Sequence, residues 1–330
     1  MNTLRNWLAG LLGLQLVLAA GLFVNASANR STDVADALIT FDESQLDKVV
    51  IGDGSNQLTL VKQENAWQLP ELHDLPASTG KLENALDKLA NLTISWPVAT
   101  TTSAHSRFEV SEEKHQRRIQ LYSEDKLAGE LFLGSSPGFR KVHVRSPDAD
   151  EVYALSVNTY EFPVKDSDWL DKKLLAVDDI TRIKGPDFTL KKQNDAWTLT
   201  GDDETGTNVD QVDSEKANQL RRAFSSLTVT GVAEPSPVFD SEDVITLEVN
   251  GGSDGENQRY QFLAIDDRYY AKSDHFPQVF TLSQYDYERL ATVKLETLRL
   301  AESKPVSTEP LTSTTSATTS TGEAENSGDS

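Results

Sequence analysis

Apolar and polar residues alternate in two widely separated stretches, Leu58-Thr-Leu-Val-Lys-Gln-Glu-Asn-Ala-Trp-Gln-Leu69 and Phe188-Thr-Leu-Lys-Lys-Gln-Asn-Asp-Ala-Trp-Thr-Leu199. A period of two puts Leu58, Leu60, Trp67 and Leu69 on one face of a pleated strand pair. The polar turns at 63–65 and 193–195 contain Asn and Asp, which tolerate left-handed backbone and bond their own main chain. Each stretch therefore predicts a β-hairpin with a tryptophan, Trp67 or Trp197, anchoring the return strand.

The same order of elements surrounds both hairpins. In the first copy, Leu46–Ile51 reads as a strand and Gly52–Gly54 as a turn. Ser78-Thr79 reads as a helix start, followed by Leu82, Ala85, Leu86, Leu89 and Leu92 at three- and four-residue spacing. Lys81, Glu83, Asp87 and Lys88 fall on the opposite side. Thr93–Ala99 predicts a strand whose Pro97 marks an edge. An antiparallel meander follows at Arg118–Tyr122, Leu127–Leu133, Val142–Arg145 and Glu151–Leu155, with one face wet and a turn at Ser135–Gly138. Ser156–Phe162 reads as a short helix, and Trp169–Leu175 as an apolar-faced turn closing the unit.

In the second copy the strand is Asp179–Lys184. The helix is Asp213–Ser226, with Ala217, Leu220, Phe224 and Leu227 inward. The meander is Val244–Val249, Gln258–Leu263, Arg268–Lys272 and Gln278–Leu282. Val152-Tyr-Ala-Leu-Ser156 aligns with Val279-Phe-Thr-Leu-Ser283, and Leu92-Thr-Ile94 with Leu227-Thr-Val229. Collinearity over more than a hundred residues signals duplication. The expected fold is α+β: a tandem duplication of a mostly antiparallel sheet domain with one main amphipathic helix per repeat. The repeats span 46–175 and 176–300, each large enough to own a core.

The ends differ from the middle. Trp7–Val24 is an almost unbroken apolar run, about the length that crosses a bilayer core. Arg5 before it favours a cytoplasmic N-terminus and export of the rest. The segment 1–28 is thus expected to be a single transmembrane anchor, with the bulk of the chain exported. A signal peptide cleaved after Ala28 is the competing reading. Residues 29–45 form a polar tether with one apolar patch, Ala37–Phe41, a candidate leading strand. Residues 301–330 are rich in Ser and Thr, and too polar to offset the entropy of ordering.

Composition narrows the function more than it names one. The net charge of −21 excludes a nucleic-acid partner, whose phosphates need a basic footprint, and argues against the folded part lying on anionic lipid. The chain has no cysteine, so disulfides, thiol chemistry and Cys-based zinc sites are excluded. No Walker loop, dinucleotide fingerprint, G-x-S-x-G elbow or H-E-x-x-H occurs. No catalytic, cofactor-binding or metal-ligating residue is expected, and no enzyme. The acidic stretch 202–213 lacks the glycine and closing Glu of an EF-hand. His73-Asp74 and Asp274-His275 do not repeat at matching places and read as turn or surface residues. Lys114, Arg117, Arg118, Arg140, Lys141 and Arg145 read as a solvent face, or else as an anion or partner patch. The tyrosines Tyr153, Tyr160, Tyr269, Tyr270, Tyr285 and Tyr287 read as packing, with a carbohydrate or peptide groove as the alternative.

Several of these residues also carry a family resemblance. Leu58, Leu60, Lys62, Trp67 and Leu69, then Val152, Tyr153 and Leu155 and the closing Trp169-Leu170, resemble the bacterial DUF4340 family. The second copy supplies Leu190, Lys192, Trp197, Leu199, Val279, Phe280 and Leu282, and the N-terminal apolar segment also fits. The resemblance implies a membrane-anchored envelope protein accompanying an ABC-2-type transport system, with a permease and an auxiliary subunit as partners. The expected function is a non-enzymatic accessory or scaffold. The alternative is an exported protein binding a glycan, peptide or lipid in the cleft between the repeats.

Overall fold

The computed structural model describes residues 37–201, 208–209, 211–252 and 255–300. The first repeat runs Lys48–Gly52 (β1), Gln57–Gln63 (β2), Ala66–Leu69 (β3), Leu75–Pro76 (β4), Thr79–Ala90 (α1), His105–Phe108 (α2), Arg117–Ser123 (β5), Lys126–Leu133 (β6), Val142–Arg145 (β7) and Tyr153–Leu155 (β8). The second runs Arg182–Lys184 (β9), Phe188–Gln193 (β10), Ala196–Gly201 (β11), Asn208–Val209 (β12), Ser214–Ser225 (α3), Val229–Val232 (β13), Ile245–Gly251 (β14), Glu256–Ile265 (β15), Arg268–Ser273 (β16), Phe276–Leu282 (β17), Gln284–Ala291 (α4) and Leu295–Leu298 (α5). One sheet is ordered β4-β3-β2-β1-β5-β6-β7-β8 and the other β12-β11-β10-β9-β14-β15-β16-β17-β13. Apart from β13 the two orders correspond strand for strand. The chain is a duplication.

Local chemistry repeats as well. Two-residue turns at Glu64-Asn65 and Asn194-Asp195 have φ of 49° and 70°, and 50° and 63°. Glu124-Asp125 and Asp266-Asp267 turn in the same left-handed way between β5 and β6 and between β15 and β16. That twist matches the right-handed twist of the flanking strands. Trp67 faces Lys62 across its hairpin and Trp197 faces Lys192 in the same register. Both tryptophans are buried, and Trp197 Nε1 donates to Asn218 Oδ1 of α3 at 3.1 Å. α1 buries Leu82, Ala85, Leu86 and Leu89, and α3 buries Ala217, Leu220, Ala223 and Phe224. These are the faces that the spacing predicts. Asp213 caps α3 by accepting from Glu215 N and Lys216 N, whereas the Ser78 side chain makes no such bond.

Each repeat closes with the same clasp. Ser78 N donates to Trp169 O at 2.7 Å, and Asp213 N to Leu298 O at 2.8 Å. Single bridges Ala77–Leu170 and Val212–Arg299 lie beside them. Between the repeats, Lys172 Nζ donates to Thr230 O at 2.6 Å and Val229 N to Lys172 O at 2.8 Å. One hydrophobic cluster runs through both units by way of Trp169, Leu175, Val177 and Ile180. The expected pair of separate cores is therefore one continuous core.

The structure corrects other expectations. The wet outer face of the meander is partly covered: all of β7 is buried, and Val110, Phe132 and Val152 form a second small core with Ala99 and Phe108. The segment between helix and meander folds back over the sheet, and in the second repeat Ala233, Tyr270 and Val279 pack similarly with Phe239. Thr93–Ala99 is not a strand and touches its neighbours at single bridges, Ala37–Thr93 and Ala99–Val152. Pro97 offers no N–H there, while the proline-free β13 zips onto β17. Among the described residues Ala37–Phe41 makes only that one bridge. Ser156–Phe162 holds a 3₁₀ turn at Thr159–Glu161. The second repeat has a further helix, α4, where one main helix was expected. Trp7–Val24, most of the acidic stretch 202–213 and the tail 301–330 lie outside the described residues. Among the described residues no helix is long and apolar enough to cross a membrane.

The back-face cover presses closely on β6. A methyl group at Gly134 would lie 2.1 Å from Phe108 O and 2.5 Å from Glu109 O. Backbone cannot step aside as a side-chain tip does. Gly134→Ala should therefore lower stability by about 3 kcal/mol, at the upper end of overpacking costs, measured as the shift in urea midpoint. An unshifted midpoint would mean that α2 is not seated on the sheet.

Candidate functional site

A groove of 510 Å³ lies between α3, α4 and α5 of the second repeat. Ser283 starts α4: its Oγ accepts from Asp286 N at 3.1 Å and donates to Asp286 Oδ2 at 2.8 Å. The same carboxylate accepts from Thr228 Oγ1 at 3.2 Å, which ties α4 to the exit of α3. Leu290 and Ala291 then pack inward at helical spacing. α5 is held by Leu295 N donating to Asp187 Oδ2 at 3.1 Å and by the Asp213–Leu298 clasp.

The floor of the groove is apolar, with Leu220 and Leu298 buried beneath it. Its rim is polar and predominantly cationic: Lys216, Arg222 and Arg289 against the single carboxylate Glu288. The Arg289 guanidinium lies 4.8 Å from the centre of the Tyr285 ring, and its Nη1 donates to Ser226 Oγ at 3.3 Å. Arg222 pairs with Glu215 at 2.9 Å, and Glu288 accepts from Gln284 Nε2 at 2.7 Å. Tyr285 is 66% exposed, so the Arg289–Tyr285 pair is available to a partner. A low floor ringed by aromatic and arginine side chains suits recognition of a protein segment. Arg289 Nη1 also lies 3.8 Å from Asp286 Oδ1, so two of the three rim cations, Arg222 and Arg289, sit in ion pairs within the groove's own helices.

The candidate residues read from sequence are dispersed. The basic cluster is neither a patch nor a plain solvent face. Arg145 is buried and donates to the carbonyls of Val110, Ser146, Pro147 and Ala149 at 2.8–3.1 Å. Burial pushes its guanidinium below the usual arginine range. Arg118 pairs with Glu130, Lys114 pairs with Glu109, and Arg117 donates to Phe162 O. Arg140 and Lys141 stand outward on a loop, as does Lys114 beside Glu109. His73 occupies a left-handed turn position and His275 is exposed, as expected of turn residues. His143 is buried against Phe108 and beside Ser135 Oγ, and burial pushes its imidazole below the usual histidine range. The tyrosines divide: Tyr269 packs on Tyr287 and Tyr270 is buried, while Tyr160 and Tyr285 are exposed.

Sequence reasoning missed α4, and with it the groove. The signal was legible in Ser283-x-x-Asp286 followed by Tyr287, Leu290 and Ala291, a capping pattern before an apolar helical face. Three further grooves of 350–430 Å³ each lie within a single repeat. Among the described residues no three His, Asp or Glu side chains gather where they could hold a metal ion.

A family model, Domain of unknown function (DUF4340), matches residues 67–244, more than half of the chain. The match starts on Trp67 and ends at Val244, just before β14, so it crosses the junction between the repeats. No curated protein and no solved structure matches the chain.

Proposed function

The chain belongs to the DUF4340 family, and on that premise we propose that it is a membrane-anchored, exported, non-enzymatic scaffold. Its partners are proteins of an ABC-2-type transport system, the permease and auxiliary subunit. Residues 7–24 anchor it in the inner membrane and the repeats lie in the periplasm.

One observation carries the partner-binding part of this reading. α4 and α5 stand where the first repeat has only short 3₁₀ turns at Thr159–Glu161 and Asp166–Asp168. The two copies thus share a scaffold and diverge where the cation-rimmed groove is formed. Packing alone does not require such a rim, whereas a partner segment with apolar anchors and acidic flanks fits it. The alternative, a ligand held between the repeats, gains no support from the described grooves, each of which lies within one repeat.

Photocrosslinking in cells tests the proposal. A benzophenone side chain at Tyr285 should give adducts with an integral transport subunit, whereas the same probe at Lys191 on β10 should not. Equal yields of the same adducts from both positions would sink the assignment of the groove.

A further inference from the structure

We propose that a second surface, on the first repeat, docks on the lipid bilayer. Trp96, Phe139 and Tyr160 insert at the interface, with Arg140 and Lys141 against anionic headgroups. The proposal rests on the membrane-anchored reading above.

These three aromatics are 92%, 102% and 85% exposed. Each is tied through a near neighbour in sequence to one 350 Å³ groove, lined by Lys88, Asn91, Thr93, Ser95, Lys141 and Ser156 among others. Trp96 follows Ser95 of that lining. Phe139 stands two residues before Lys141, and Tyr160 precedes Glu161, whose carboxylate pairs with Lys88. Scattered single apolar residues on a surface need no explanation; three large exposed aromatics whose neighbours converge on one groove do. The 134–141 loop is built to present Phe139. Ser136 Oγ donates to Lys141 O at 2.7 Å, and Gly138, Phe139 and Arg140 all have positive φ, a strained choice for the last two.

Duplication supplies a control. Between β15 and β16 the second repeat has only the acidic turn Asp266-Asp267, where the first has the 134–141 loop with its Phe-Arg-Lys tip. By the Ser156–Ser283 alignment Tyr160 corresponds to Tyr287, which packs on Tyr269. The exposed set belongs to the first repeat alone.

The point where the chain enters the fold identifies the occupant. Ala37 bridges Thr93, and Leu38 N donates to Leu92 O at 2.8 Å; both Leu92 and Thr93 line this groove. Only residues 25–36 separate Ala37 from the apolar run, and a tether of that length reaches at most ~40 Å. The anchor therefore holds the bilayer within reach of this side of the molecule, where the chain enters the fold. Trp and Tyr favour the headgroup level, and Arg and Lys are attracted to anionic lipid. Carboxylates near this face include Asp87, with Glu43 and Glu83 close by, Glu151, and Glu161, which pairs with Lys88. The large negative charge elsewhere orients the molecule, since repulsion fades within ~8 Å at physiological salt.

The cysteine-free chain allows a clean test. Full-length protein with Pro137→Cys or with Lys191→Cys carries an environment-sensitive fluorophore and is reconstituted in phosphatidylethanolamine–phosphatidylglycerol vesicles containing doxyl-labelled lipid. Docking predicts severalfold stronger quenching at position 137 than at 191, reduced by Arg140→Glu with Lys141→Glu. Equal quenching in chains that survive a carbonate wash overturns docking and leaves the anchor standing. Release of the chains by the wash overturns the anchor, and docking with it.

Discussion

Replacing Trp197 with alanine should destabilise the protein by ~3–5 kcal/mol, the range for deleting a large buried aromatic. The side chain is 5% exposed on β11 and its Nε1 donates to Asn218 of α3, so the change opens a cavity and strands an amide oxygen at the sheet–helix contact. Because one hydrophobic cluster joins the repeats, the loss should appear as a single lower urea midpoint with an unchanged slope. Two separated transitions would show that the repeats unfold independently. Trp197→Phe should recover part of the loss. A midpoint that stays put in the alanine variant would remove Trp197 from the core and reopen a binding role for it.

Arg145→Leu is the second large effect. The guanidinium satisfies four backbone carbonyls from 110 and 146–149 and lies 4.9 Å from the Phe132 ring centre. Leucine keeps much of the bulk and leaves those acceptors without a donor. Unpaired buried acceptors cost ~1–3 kcal/mol each, but the outer ones regain water, so a loss of about 3 kcal/mol is expected. Arg140→Leu, on the exposed loop, should change stability by no more than about 0.5 kcal/mol. Thermal or urea denaturation of the two variants separates the roles. Equal, small shifts would return Arg145 to the surface patch that its position in the sequence suggested.

The scaffold and the recognition surfaces respond to different substitutions. Trp197, Arg145 and Gly134 hold the sheets, the continuous core and the back-face cover. Tyr285, Arg289, Phe139 and Arg140 lie on helix α4 or on a loop that one copy has and the other lacks. Changes at the first set should read out in stability, and changes at the second in crosslinking and lipid contact.

Sequence by itself determined whatever depends on neighbours along the chain. Alternation around Trp67 and Trp197 gave the hairpins, because a period of two admits one buried face. Spacing of Leu82, Leu86 and Leu89 gave α1, and repetition of the order gave the duplication. Tertiary structure decided what depends on residues far apart. Nothing local distinguishes Arg145, enclosed by carbonyls from 110 and 149, from Arg140, five residues earlier and open to water. Thr93–Ala99 and β13 begin alike, yet a single proline withholds the donor that pairing needs. The union of the cores was hidden because it depends on Trp169, Leu175, Val177 and Ile180 packing into one cluster with residues far along the chain in both repeats. The cationic rim was hidden for the same reason. Lys216 and Arg222 meet Arg289 only once Thr228 and Ser283 share the carboxylate of Asp286.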